Sequence, residues 1–139
     1  MKINDLIDLA FKAKENAYAP YSNFKVGAVL IVKDGRKFIG CNVENASYGL
    51  SMCAERVALF KAVSEKCRDF ESLILVSDSE EFCFPCGACR QALWEFGCDL
   101  EIIVVNKKKE IKKAKIRDLL PEAFSSHKEG NPVFGSKSC

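Results

Sequence analysis

The chain has 139 residues, 48% of them hydrophobic, and a net charge of +2 from 21 basic and 19 acidic side chains. That is enough for one domain with a core of its own and too little for two. The near-balance of charge argues against a dedicated nucleic-acid surface, and the longest apolar runs, such as Val26–Val32, fall far short of a membrane span.

Ile3, Leu6, Ile7, Ala10, Phe11 and Lys14 mark one face of a first helix, with Asn4 or Asp5 as its cap and Pro20 closing the region. Val26 to Val32 is rich in β-branched residues and reads as a strand. Lys33-Asp34-Gly35-Arg36 follows as a tight turn, because Asp-Gly suits positive φ. Phe38 to Val43 returns as an antiparallel strand, and Asn45 to Ser51 is a loop. A second helix starts near Met52 or Cys53 and runs through Lys61. Leu73 to Val76 is a short buried strand, and Asp78 to Phe84 is a loop. Pro85 is placed in the first turn of a third helix, which carries Cys86, Cys89, Ala92, Leu93 and Phe96 and ends at Gly97. Leu100 to Val105 and Glu110 to Lys115 are strands joined by the basic turn at Lys107–Lys109. A last helical turn spans Ile116 to Leu120, ahead of Pro121. Strands alternating with helices in this order imply an α/β fold whose mixed sheet is covered on both faces. Residues 1–124 form a single domain, and residues 125–139 form a polar tail.

Met1-Lys2-Ile3-Asn4-Asp5 is acidic where a secretion signal would be apolar, so a cytoplasmic location is expected. The eight cysteines are then poor candidates for a disulfide framework. Cys41, Cys67, Cys83 and Cys98 read as buried small hydrophobes or incidental thiols, and Cys139 as a terminal, exposed one.

Cys53, Cys86 and Cys89 read differently. Cys53-Ala54-Glu55 precedes Pro85-Cys86-Gly87-Ala88-Cys89, and each cluster stands at a predicted helix start. There the macrodipole and free N–H groups favour thiolate over thiol. Three thiolates can hold Zn²⁺ and leave a fourth position open, the layout of a catalytic site. Glu55 lies two residues from Cys53 and so cannot share its direction as a ligand; it is cast as the acid–base group beside the metal. Three thiolates and one Zn²⁺ sum to a net negative site. Arg56 and Arg90, each following a motif residue, are candidates to hydrogen-bond the sulfurs. Two other readings stand beside this one: a closed Cys₃His site using His127, and a Cys-Gly-Ala-Cys redox pair, which leaves Cys53 and Glu55 unused.

The chain resembles the cytidine deaminases of the small, free-nucleoside type. The resemblance rests on Ala19-Pro20-Tyr21-Ser22-Asn23-Phe24-Lys25-Val26-Gly27-Ala28, Gly40-Cys41-Asn42-Val43-Glu44-Asn45-Ala46-Ser47-Tyr48, Cys53-Ala54-Glu55-Arg56, Pro85-Cys86-Gly87-Ala88-Cys89-Arg90-Gln91 and Leu119-Leu120-Pro121-Glu122-Ala123-Phe124. Such zinc deaminases carry a Cys-x-Glu or His-x-Glu motif ahead of Pro-Cys-x-x-Cys. The resemblance implies a three-layer α/β/α sandwich with a five-stranded mixed sheet, the last two strands antiparallel. It implies zinc on Cys53, Cys86 and Cys89, and Glu55 carrying protons to N3 and to the leaving amine. Asn42 and Glu44 match sugar-hydroxyl binders, Phe24 a ring-packing position, and Ala54 a backbone contact to the base. Phe124 matches a residue that stacks on the base from a neighbouring subunit, and the family's short chains resemble homotetramers with shared sites. The expected partner is a small nucleoside, with no nucleic acid and no membrane. Rival substrates are another amino-pyrimidine such as blasticidin S, or a cytosine within RNA or DNA; a purely structural zinc module would leave Glu55 unexplained. Cys83 and Phe84 are bulkier than the small residues expected before Pro85.

Overall fold

The computed structural model describes residues 2–126; His127, Cys139 and the rest of the tail beyond Ser126 lie outside the described residues. The elements run α1 (Ile3–Lys14), β1 (Val26–Val32), β2 (Lys37–Cys41), α2 (Ala54–Ser64), β3 (Phe70–Ser77), α3 (Gly87–Trp94), β4 (Glu101–Val105), β5 (Ile111–Lys115) and α4 (Ile116–Leu119). The expected α/β order is therefore present, with one short 3₁₀ turn at Tyr48–Leu50 inside the expected loop.

One mixed five-stranded sheet, ordered β2-β1-β3-β4-β5, divides the molecule into three layers. β1 pairs antiparallel with β2 and β3, β3 parallel with β4, and β4 antiparallel with β5. Side chains alternate across a strand, so each central strand feeds two cores. Val29, Ile31, Ile74, Val76, Ile103 and Val105 meet Leu6, Ile7 and Ala10 of α1. Ala28, Leu30, Leu73, Leu75, Ile102 and Val104 meet Ala58, Leu59 and Ala62 of α2 and Leu93 of α3. β3 and β4 are buried on both faces, which is why they read as unbroken apolar runs.

Two glycines set how closely the helices approach. A Cβ on Gly27 would stand 2.2 Å from the Ala10 carbonyl oxygen of α1. One on Gly40 would stand 2.3 Å from the Ala54 carbonyl oxygen and 2.7 Å from the Ala58 nitrogen of α2. The small face of α2, Ala54 and Ala58, thus lies against β2 and brings the start of that helix over the sheet. In the β1–β2 turn Gly35 has φ +97°, the left-handed conformation expected of the Asp-Gly pair.

Several boundaries depart from the expectation; α3, for one, ends at Trp94 rather than Gly97, and α2 runs on to Ser64. β2 stops at Cys41 rather than Val43, because the Asn42 side chain turns back to the start of β1 and Val43 leaves to bridge Met52. β3 is longer than expected, since β1 pairs along it from Val26 to Val32. Helix α1 is capped by Lys2, whose N–H donates to Asp5 at 3.3 Å, rather than by Asn4 or Asp5 as cap residue. Pro85 lies outside α3: Cys86 is its cap, and the Cys86 sulfur accepts from the Cys89 N–H at 3.5 Å.

Cys67 is buried, Cys41 and Cys83 are half-buried, and all three are free thiols. Cys98, expected as a buried thiol, is buried but disulfide-bonded. Among the described residues no helix is long and apolar enough to cross a membrane.

Candidate metal centre and substrate cavity

Helices α2 and α3 start side by side on one face of the sheet, and their cap residues are cysteines. Cys53 caps α2 and Cys86 caps α3, while Cys89 lies one turn into α3 and is fully buried. The loop before α2 is pinned by a two-bond bridge, Val43 N to Met52 O at 2.9 Å and Met52 N to Val43 O at 2.8 Å. The ligand atoms of Cys53, Cys86 and Cys89 lie within 4.8 Å of one another, and the Cys53 and Cys86 sulfurs are 3.9 Å apart. A tetrahedral zinc with Zn–S bonds of about 2.3 Å needs sulfurs roughly 3.8 Å apart. The three thiols therefore fit zinc in number and chemistry, and the Cys53–Cys86 pair already stands at zinc spacing. No fourth protein ligand joins them among the described residues.

Of the three sulfurs, that of Cys53 is the one favoured as the anion. The Cys89 thiol, followed by Arg56, holds Cys53 down to about 5, while the proton shared with Cys53 and burial push Cys89 up. An Arg56 terminal nitrogen lies 3.6 Å from the Cys53 sulfur, as expected, and that bond holds the guanidinium firmly protonated. The Arg56 Nε is buried with no hydrogen-bond partner in the described structure, so its compensation is the field of the thiolates. Arg90 does not reach a sulfur. Its guanidinium donates to the Pro85 carbonyl at 2.7 Å and the Leu119 carbonyl at 2.8 Å, bracing the loop into Cys86 against α4.

Glu55, in the first turn of α2, is 4% exposed. Burial, helped by the Cys53 thiolate, pushes its carboxyl up to about 7. A dication held by the sulfurs would draw it back down. Glu55 lines a cavity of about 360 Å³ together with Cys53 and Ala54, so the acid, one of the three clustered cysteines and an empty volume adjoin.

The far lining of that cavity comes from the segments around β1 and β2. Phe24, Asn42 and Glu44 all face it. Asn42 Oδ1 accepts from the Val26 N–H at 2.9 Å, and its Nδ2 donates to the Phe24 carbonyl at 2.8 Å. Each end of the amide keeps one unused hydrogen-bonding valence. Glu44 accepts from the Tyr21 N–H at 3.0 Å, the Ser22 N–H at 3.1 Å and the Ser22 hydroxyl. The Ser22 bonds hold its carboxylate below the usual range, so it is an anion at neutral pH. The serine was not picked out from sequence; its signal was the Ser-Asn turn ahead of β1. Phe124 is not brought to this cavity. Its side chain is 76% exposed, and its carbonyl accepts from Gln91 Nε2 at 3.0 Å.

Comparison with known proteins gives one answer. A family model described as the cytidine and deoxycytidylate deaminase zinc-binding region matches residues 1–106. The chain is 46% identical over 127 residues to the cytidine deaminase of Sporosarcina psychrophila, covering 90% of this chain and 93% of that one. It is 48% identical over 122 residues to that of Halalkalibacterium halodurans, covering 87% and 92%. The crystal structure of cytidine deaminase from Burkholderia pseudomallei superposes with a TM-score of 0.86 at 49% identity, covering 89% of this chain and all of that one. That from Mycobacterium tuberculosis gives 0.77 at 40% identity, covering 90% and 98%. With three clustered cysteine sulfurs, a buried glutamate beside them and a match that runs through both motifs, the chain belongs to the zinc-binding cytidine and deoxycytidylate deaminase family.

Proposed function

We propose that the protein hydrolyses the exocyclic amine of cytidine and deoxycytidine, giving uridine or deoxyuridine and ammonia, with one zinc held by Cys53, Cys86 and Cys89. The single observation that carries this is the adjacency of Glu55 to those thiols at the wall of a nucleoside-sized cavity. Zinc in that position supplies Lewis-acid activation of water near neutral pH. Everything else falls to the chain. Glu55 takes a proton from the attacking water, delivers it to N3 as the water oxygen adds to C4, and takes the second water proton to the amine that leaves as ammonia. Its burial excludes solvent that would compete for those protons. The Ala54 backbone meets the base, Phe24 packs on the ring, and Asn42 and Glu44 bind the sugar hydroxyls through their unused valences. Arg56 offsets the negative charge of the thiolates, and Arg90 positions the Cys86 loop.

A free nucleoside suits this cavity better than a nucleotide. The Glu44 carboxylate stands where the sugar is placed and repels a nearby phosphate. The reading extends to the assembly. One domain spans residues 1–124, and its exposed Phe124 closes the site of a neighbouring subunit in a homotetramer. The molecule works in the cytoplasm, in nucleoside salvage.

The test compares cytidine, its 5′-monophosphate and a cytosine-containing single-stranded oligonucleotide under one set of conditions. The expected result is efficient turnover of cytidine alone. Comparable kcat/KM for the nucleotide or the oligonucleotide would overturn the substrate assignment while leaving the zinc chemistry standing.

A further inference from the structure

The loop that leads into Cys86 gives the cavity two side chains that the deamination chemistry does not use, Cys83 and Phe84. On the functional reading above, C4 of the pyrimidine is directed at the thiols and N3 at Glu55 and Ala54, both in the first turn of α2. In the ring N3 and C5 are the two neighbours of C4, and they leave it in opposite directions. With N3 turned to α2, C5 is turned toward lining that α2 does not supply. Phe24 and Phe84 are the largest side chains there; Phe24 is already placed on the ring, and Phe84 stands two residues from a zinc-ligating cysteine.

Its ring is held in place. Lys112 Nζ of β5 lies 5.9 Å from the ring centroid of Phe84 and 5.9 Å from that of Phe82, so one ammonium reaches both aromatic rings. Phe84 also packs against the core shared by α2, α3 and the sheet. A half-buried ring packed against the core, with a cation near its face, is better suited to a wall than to a swinging gate.

We infer that Phe84 is a specificity-determining residue: its ring closes the cavity at the C5 edge of the pyrimidine and selects cytosine that carries no C5 substituent. This inference rests on the cytidine reading. A single added carbon against an apolar wall is worth about 10- to 200-fold in discrimination.

The experiment measures kcat/KM for cytidine and for 5-methylcytidine with wild type, Phe84→Ala and Phe84→Leu. The readout is the ratio of the two within each enzyme, which cancels any loss of folded protein. Wild type is expected to disfavour 5-methylcytidine. Phe84→Ala is expected to raise the ratio of 5-methylcytidine to cytidine by about tenfold or more, with Phe84→Leu between. If the alanine variant fails to fold, the leucine variant, which keeps an apolar contact with the core, carries the test. A ratio that stays at the wild-type value in the folded variants, or a wild type that accepts both substrates equally, overturns the inference while leaving cytidine deamination intact. A zinc-loaded wild type that turns over neither substrate removes the functional reading, and this inference with it.

Discussion

On the proposed reading Glu55 is the side chain on which the chemistry turns, and its substitution separates catalysis from structure. Glutamine keeps the shape and hydrogen-bonding reach of the side chain but can neither take nor return the shuttled proton. Glu55→Gln should keep its zinc and its fold and lose about 10²- to 10⁴-fold or more in kcat, because general acid–base catalysis alone is worth that much. Metal analysis beside steady-state kinetics checks it, and near-normal turnover would remove the assigned role. At this scale the sequence was most readable where function depends on short spacing. Cys53, Glu55, Arg56, Cys86 and Cys89 stand within one helical turn of a helix start, so the geometry inside each motif was legible, while the meeting of the two motifs, 33 residues apart, was legible only through the family resemblance. It was least readable where partners come from far along the chain. Arg90 finds the Leu119 carbonyl, 29 residues away, and Ser22 finds Glu44, 22 residues away, and neither pairing leaves a local trace.

Helix α2 carries Cys53 and Glu55, and its position depends on how closely it lies against β2. Gly40 makes that approach, with no room for a Cβ before the Ala54 carbonyl. Gly27 does the same for α1, which carries no site residue. Adding one methyl at either glycine overpacks a helix–sheet contact, at a cost of about 1–3 kcal/mol. Gly27→Ala and Gly40→Ala should both lower thermal stability. Only Gly40→Ala should also weaken zinc retention and activity, because it displaces the helix whose start holds the thiolate and the acid. Melting curves and zinc content of the two variants make the comparison, and equal zinc loss in both would show that α2 is not the positioning element. The elements themselves were legible because each strand and helix has a clean apolar period. Their ends were not. β2 ends where an Asn42 side chain replaces the ladder, and α3 begins after Pro85 because the Cys86 sulfur takes the capping bond. Side-chain substitutes for backbone bonds of this kind are invisible to periodicity.

At the scale of the whole molecule, an α1 layer stabilises one face of the sheet and leaves the other face to the chemistry. Two helix starts meet there, over the β1 and β3 residues that line the cavity, Val26 and Leu75. The exposed Phe124 and the apolar surface of Tyr18, Val43, Tyr48 and Leu50 belong to the same molecule. On the homotetramer reading, that is surface for neighbouring subunits. The central claim is that this fold is a zinc-dependent deaminase of free cytidine, and one assay reaches it. Protein carrying zinc is incubated with cytidine, and the loss of the cytosine absorbance is followed as uridine forms, before and after removal of the metal by a chelator. The account predicts complete conversion to uridine with one ammonia released per turnover, lost with the metal and restored by added zinc. Conversion that persists in fully zinc-free protein, or a folded, zinc-loaded protein that leaves cytidine unchanged, would contradict it.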